Sequence, residues 1–264
     1  MWSITSTRKS DNLLRMQARV IGALILRETR VTFGKAQMGY LWAVFEPVLG
    51  TAALTAIFSI VTRHPPLGTS FALFFATGVL TFQIYQRLST SLMAVFEANR
   101  GLMAYPLVKE LDVVFARFLL IVATYLFVFV VFFGGLIMFD LADYPARLDQ
   151  VLLALLATAL IGLGAGLINA VIMLLWPTWK HLHGIISRPL FFISGVFFIP
   201  SAFPPNIRYI LSWNPLMHCI DWFRSGYYHS YDSPTLDIGY LLMYTLVLLL
   251  IAFGSERVYR KYQK

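Results

Sequence analysis

Charge is scarce in this sequence: 13% of its 264 residues are Asp, Glu, Lys or Arg, against about a quarter in ordinary soluble domains. So little charge cannot cover a water-exposed surface of this size. The deficit falls in long uncharged runs, as a bilayer requires. Acidic residues are scarcer than basic ones, 13 against 21, for a formal net charge of +8. Cysteine occurs once, as Cys219, which excludes an internal disulfide and a cysteine-rich metal or iron–sulfur centre. Neither a GxxxxGKS/T loop nor a GxGxxG loop occurs, so the chain has no phosphate cradle with which to be its own ATPase. The first ten residues, MWSITSTRKS, are polar, and the basic stretch that follows has no compact apolar core with a cleavage site. No removable signal peptide is expected.

What is abundant is apolar: 58% hydrophobic residues, with 22 Phe and 13 Tyr. At roughly 20 residues per crossing the length allows at most seven or eight spans, and leaves no room for a separate globular domain. The pattern predicts one all-α integral membrane domain over 1–264, with six transmembrane helices at about 38–61, 71–96, 113–139, 150–175, 182–200 and 238–255. Residues 11–30 read as an amphipathic interface helix, with Leu14, Ala18, Ile21 and Ile25 on one stripe and Arg15 and Arg19 beside it. Arg27 and Arg30 close that helix. The second span turns polar midway, through Gln83, Gln86, Arg87, Ser89 and Thr90, so it is not expected to face lipid alone. Prolines at 189, 200, 204 and 205 end the fifth span near Pro200. Residues 200–237 are too long for a bare connection. Asn214 followed by Pro215 is a helix start, a cap and a first helical position, so this region reads as short re-entrant helices. Asp237 is placed to cap the sixth span.

The charges orient this topology. The side holding both termini and the 97–112 and fourth-to-fifth connections carries sixteen basic residues, from Arg8 to Lys264. The other side has four, Arg63, Arg147, Arg208 and Arg224, with six acidic residues. The positive-inside rule therefore puts both termini of a multi-pass membrane protein in the cytoplasm, and the excess positive charge needs no nucleic acid to explain it.

An ionisable group within the bilayer costs several kcal/mol without a partner or water, which singles out Glu46 and Arg87. An ion pair between them, snorkelling of Arg87, or the lining of a polar path all fit. Tyr85, Gln86 and Ser89 lie beside Arg87, and Trp42 is either an interfacial anchor or an aromatic surface for sugar rings. Gly162 and Gly166 have the spacing of a close helix contact, within or between subunits. The 97–112 connection, EANRGLMAYPLVKELD, exposes apolar residues among charges, as a docking segment for a cytoplasmic partner would. His181 and His183 lack a third metal ligand, and no metal site is expected. His218 and Cys219 are adjacent, so on a helix their side chains point about 100° apart. A transferase site built on them with Asp221 is disfavoured.

Four stretches together, RETRVTFGKAQMGYLWAVFEP at 27–47, EANRGLMAYPLVKELD at 97–112, FFISGVFFIP at 191–200 and WNPLMH at 213–218, resemble the ABC-2 permeases of bacterial capsular-polysaccharide exporters. The resemblance runs from about Arg27 to the end of the sixth span. It implies a homodimeric permease, two separate ATP-binding cassette subunits that hold ATP and Mg2+, and a lipid-linked polysaccharide as cargo. It also implies periplasmic and outer-membrane export partners. Under it, Asn99, Gly101, Tyr105, Pro106 and Lys109 look like the ATPase coupling helix. Phe198, Pro200, Trp213, Asn214 and Pro215 look like the periplasmic gate. Exporters of another lipid-linked glycan, such as O-antigen or teichoic acid, are the nearest alternative, followed by a drug or small-lipid permease.

Overall fold

The computed structural model describes residues 19–30, 38–103 and 108–263, and every regular element among them is helical. In chain order they are α1 (19–30), α2 (Met38–Val61), α3 (Phe71–Met93), α4 (Val95–Ala98), α5 (Glu110–Met138), α6 (Leu148–Leu175), α7 (Trp179–Ile193), a 3-10 turn (Pro200–Ala202), α8 (Pro205–Leu211), α9 (Pro215–Tyr227) and α10 (Ile238–Gln263). Among the described residues α5, α6 and α10 are long and apolar enough to cross a membrane.

Local chemistry sets the helix ends. Ser70 Oγ accepts from Leu73 N and starts α3. The expected Asn214–Pro215 start is observed, with Asn214 Oδ1 accepting from Leu216 N at 3.0 Å. Asp237 Oδ1 accepts from Tyr240 N at 2.8 Å and caps α10. Three boundaries differ from expectation. The second apolar run breaks at Ala94, so α3 stops at Met93 and α4 follows separately. The fifth run is helical for 15 residues, Trp179–Ile193, and stops well short of Pro200. Gly195 explains this stop: it takes φ +84, which a β-carbon disfavours, and turns the chain out of the helix. α10 continues past 255 to Gln263 and carries Glu256, Arg257, Arg260 and Lys261 beyond its apolar part.

The most extensive contact is between α3 and α6. Gly162 and Gly166 make it: a β-carbon at 162 would stand 2.8 Å from Leu88 Cβ, and one at 166 would stand 2.8 Å from the Leu88 carbonyl oxygen. The GxxxG spacing thus joins two helices of one chain. On the opposite side of α6 packs α10, and α9 is inserted against α6, α3 and α10 with Leu216 through Tyr227 all buried. Aromatic rings fasten α9 to α5, with Phe133 5.8 Å from Phe223 and 5.1 Å from Tyr227. Large apolar side chains such as Ile60, Val130, Met138 and Leu250 stand exposed on α2, α5 and α10, as lipid-facing residues do. α1, the 99–103 turn, the start of α5 and the end of α10 share one end of the bundle, and α9 with the start of α6 forms the other.

Gly166→Ala places a methyl against a backbone carbonyl that cannot rotate away. Overpacking of this kind costs about 1–3 kcal/mol. A thermal unfolding scan of the purified variant in detergent is expected to show a lower midpoint than wild type, and an unchanged midpoint would argue against this contact.

Candidate functional site

Side-by-side packing of α2 and α3 brings the two intramembrane charges together: Arg87 Nη2 donates to Glu46 Oε2. Both side chains remain about half exposed, at 48% and 47%. Trp42, one turn before Glu46 on α2, is 65% exposed. The buried Tyr125 of α5 is a further neighbour of the same guanidinium. The side-chain carbonyl oxygens of Gln83 and Gln86 are buried with no protein partner. Trp42, Glu46 and Arg87 therefore share an open face, which Gln86 borders.

Ser89, two residues past Arg87, points the other way into a fully packed polar cluster. Asn169 Nδ2 donates to Ser89 Oγ at 2.9 Å, Trp179 Nε1 donates to Asn169 Oδ1 at 3.0 Å, and Ser89 Oγ and His183 Nε2 are 3.0 Å apart. Tyr85, partly buried one turn before, is a neighbour of Ser89. The structure thus divides the expected path residues into an open group and a structural group that pins α7 to α3 and α6. His183 serves that cluster. Its signal in the sequence was a polar residue at helical spacing from Ser187, whose Oγ donates to the His183 carbonyl at 2.8 Å.

At the end holding α1, the residues of the expected coupling and interface groups meet. Glu28 is buried and takes a bidentate contact from Arg117, whose Nη2 reaches Oε1 and Oε2 at 2.9 Å each. Arg117 Nη1 also donates to the Ser91 carbonyl at 3.1 Å. Asn99 Nδ2 donates to Glu28 Oε1, and Arg27 Nη1 donates to Asn99 Oδ1 at 2.6 Å. Breaking a buried pair of this kind by removing one partner costs roughly 3–5 kcal/mol, because the other charge stays behind. Sequence reasoning placed Arg27 and Asn99 here but missed Glu28 and Arg117, which are far apart in sequence and have no local pattern. Gly101 and Lys109 are exposed, as are Arg19 and Arg30; the Lys109 backbone N–H is capped by Asp112. Arg15, Tyr105 and Pro106 lie outside the described residues.

The opposite end is organised by Arg224, which the charge count put on the side away from the termini and which the structure buries completely. Its Nη1 donates to the carbonyls of Gly195 at 2.7 Å and Phe198 at 2.9 Å, and its Nη2 donates to that of Val196 at 3.1 Å. Nε reaches Thr77 Oγ1, and the guanidinium carbon sits 4.1 Å from the centre of the Phe74 ring. The acceptors are backbone carbonyls of the segment after α7, where helical hydrogen bonding has stopped. Asn214 completes the joint by donating to the Ile193 carbonyl and to Ser194 Oγ. Pro200 is buried, whereas Trp213 is exposed and borders a cleft of about 840 Å³ with Tyr209 and Tyr240. The five expected gate residues thus gather around the end of α7.

Asp221 and His218 of α9 are occupied, whereas Arg208 Nε and Tyr228 OH are buried without a protein partner. Asp221 is buried and accepts from Tyr231 at 2.5 Å and from Ser233 and Thr235. Burial, reinforced by the Asp221 charge, pushes the Tyr231 phenol upward, so it remains a donor. His218 uses both ring nitrogens, Nε2 toward the Ser212 carbonyl at 2.7 Å and Nδ1 toward Asp237 N at 3.2 Å. Cys219 is buried. Among the described residues no three His, Cys, Asp or Glu side chains are grouped to hold a metal.

Long apolar helices that enclose satisfied polar clusters define a multi-pass membrane protein. The family model of the ABC-2 type transporter matches residues 19–228, and the chain belongs to that family; it is a transport subunit. Family membership implies paired permease and ATPase subunits. The chain is 34% identical to the polysialic acid transport protein KpsM of Escherichia coli over 244 residues, 92% of this chain and 94% of that one. It is 30% identical to the capsule polysaccharide export inner-membrane protein CtrC of Neisseria meningitidis serogroup A, with 91% of each covered. Against the capsule polysaccharide export inner-membrane protein BexB of Haemophilus influenzae the identity is 29%, with 94% of each covered.

Replacing Arg224 by Met leaves three carbonyls unpaired in an apolar interior, each costing about 1–3 kcal/mol. Size-exclusion chromatography of detergent extracts is expected to show almost no monodisperse protein. Arg224→Lys should fail to restore it, since an ammonium cannot span the separate acceptors that the guanidinium fork reaches.

Proposed function

We propose that the chain is the permease subunit of an ATP-driven exporter that carries a lipid-linked capsular polysaccharide across the bacterial inner membrane. The observation that carries this reading is near full-length similarity to several proteins of polysialic acid transport and capsule export. Two copies of the chain form the conduit, and two separate ATP-binding cassette subunits supply ATP hydrolysis with Mg2+. Periplasmic and outer-membrane proteins extend the route.

In this reading residues 1–264 form one transmembrane domain that crosses six times, through α2, α3, α5, α6, α7 with the segment after it, and α10. The sixteen basic residues on one side place both termini in the cytoplasm. α7 spans only about 22 Å at 1.5 Å per residue, less than a bilayer core, so the turn held by Arg224 and the re-entrant α8 and α9 complete the outer half. Phe198, Pro200, Trp213, Asn214 and Pro215 form the periplasmic gate. The segment around Asn99, Gly101, Tyr105, Pro106 and Lys109 receives the ATPase. The interface helix, with Arg15, Arg19, Arg27 and Arg30, lies along the inner surface and attracts anionic headgroups.

The substrate path runs past Trp42, Glu46, Gln86 and Arg87. Their shared open face supports this, as do the Gln83 and Gln86 acceptors that no protein group satisfies. Tyr85 and Ser89 back that face from behind. ATP binding would widen the conduit at the dimer interface while the chain itself does no covalent chemistry.

An ion pair open to water is worth about 0–1 kcal/mol, so Arg87→Ala should leave folding and ATPase assembly intact. Surface capsule is expected to fall severalfold at equal permease level. Unchanged capsule would remove Arg87 from the path. Copurification with the ATPase encoded beside it, followed by mass spectrometry of any retained lipid-linked glycan, tests the whole reading.

A further inference from the structure

The side chain of Asn99 uses both of its amide donors and its carbonyl oxygen. Oδ1 accepts from Arg27, Nδ2 donates to Glu28 Oε1 at 3.1 Å and to the Val95 carbonyl at 2.9 Å, and the backbone carbonyl accepts from the N–H groups of Leu102 and Met103. It stands where α4 ends and the 99–103 turn begins, almost wholly buried. The next two residues, Arg100 and Gly101, are exposed, and nothing lies within 4 Å of a β-carbon placed on Gly101. One surface of this short segment is therefore open to a partner while its root is tied into the bundle. Among the described residues, the hydrogen bonds between the turn and α1 run through Asn99. Beyond it, Glu28 hands the contact to Arg117 on α5, and Arg117 Nη1 holds the Ser91 carbonyl near the end of α3.

We propose that Asn99 is the joint through which a push on the exposed face of residues 97–103 is delivered to the bundle, with Glu28 and Arg117 dividing it among α1, α3 and α5. This rests on the reading of that segment as the ATPase docking surface. It goes further by naming the positioning residue that carries the motion inward and by making α1 a moving part. Two hydrogen bonds from opposite ends of one planar amide, to Arg27 and Glu28, resist both sliding and rotation of the turn against α1, while the third fixes the amide to Val95 of α4; apolar contacts from Leu102 and Met103 alone would allow such motion. The turn and α1 thus travel as one body, and α5 is displaced from its first turns.

The test uses the full permease–ATPase complex in lipid nanodiscs and proteoliposomes. Spin labels are placed at the exposed positions of Ala23→Cys and Arg100→Cys; buried Cys219 stays unlabelled. In the otherwise wild-type complex the distance between the labels should be the same with and without nucleotide. With Asn99→Ala added it should broaden and shift when nucleotide binds. In proteoliposomes, Asn99→Ala without the labels should transport about tenfold less glycan per ATP hydrolysed, a coupling loss within the usual allosteric range. A nucleotide-dependent label distance in the wild-type background would overturn the proposal. So would wild-type transport per ATP in Asn99→Ala, or a loss of hydrolysis in step with export. If Asn99→Ala does not assemble, the wild-type distance alone decides. A wild-type chain that neither assembles with the ATPase nor transports would instead refute the exporter reading, before any variant is compared.

Discussion

Arg224 solves the main difficulty of this architecture. A helix that stops inside an apolar bundle leaves carbonyl oxygens with no partner, and no water is at hand to satisfy them. α7 stops at Ile193, and the positive φ of Gly195 turns the chain before it reaches the short helices that follow. The guanidinium of Arg224, arriving on α9, supplies the missing donors to residues 195–198 and ties them to Thr77 on α3. Only a group with several donors in a plane can serve acceptors that diverge in this way. Gly195 ends α7, and that one buried cation on α9 makes the ending tolerable inside the bundle.

The same physical demand is met differently at the other end. There a carboxylate, Glu28, is buried, and Arg117 with Asn99 satisfies both of its oxygens. Between the two ends α3 and α6 lie so close that glycine is needed at 162 and 166, and the Ser89–Asn169–Trp179 chain of hydrogen bonds closes the gap to α7. Polar groups are few in this protein, and the buried clusters join helices distant in sequence. The half-exposed Glu46–Arg87 pair is the exception, left open on the face where Trp42 projects.

Much of the outline was legible beforehand. Apolar runs showed where long helices lie but not where all of them end, because a bilayer-crossing length leaves a plain compositional trace while α7 stops at Ile193 and α10 runs on to Gln263. Caps were legible as well: Asn214 and Asp237 act on neighbours two or three residues away, so local sequence contains the whole interaction. The pairing of Glu46 with Arg87 was one of several open outcomes, since two charges in adjacent spans have few other partners. The burial of Arg224 was not legible. Its acceptors are backbone carbonyls about thirty residues upstream, and carbonyls belong to every residue type and leave no mark in a sequence. Glu28 and Arg117 stayed hidden for a related reason, as 89 residues separate them.

Composition and local motifs determined that the protein lives in a bilayer, that it is helical, and that these 264 residues carry no phosphate-binding loop of their own. Those conclusions depend on totals and on local motifs, which folding does not alter. The tertiary structure decided where the charges go: which are spent inside the bundle as fasteners, as with Glu28, Arg117, Asp221 and Arg224, and which remain on an open face, as with Glu46 and Arg87. That choice depends on which helices become neighbours, and helix neighbours are set by the packing of the whole chain, not by any segment of it.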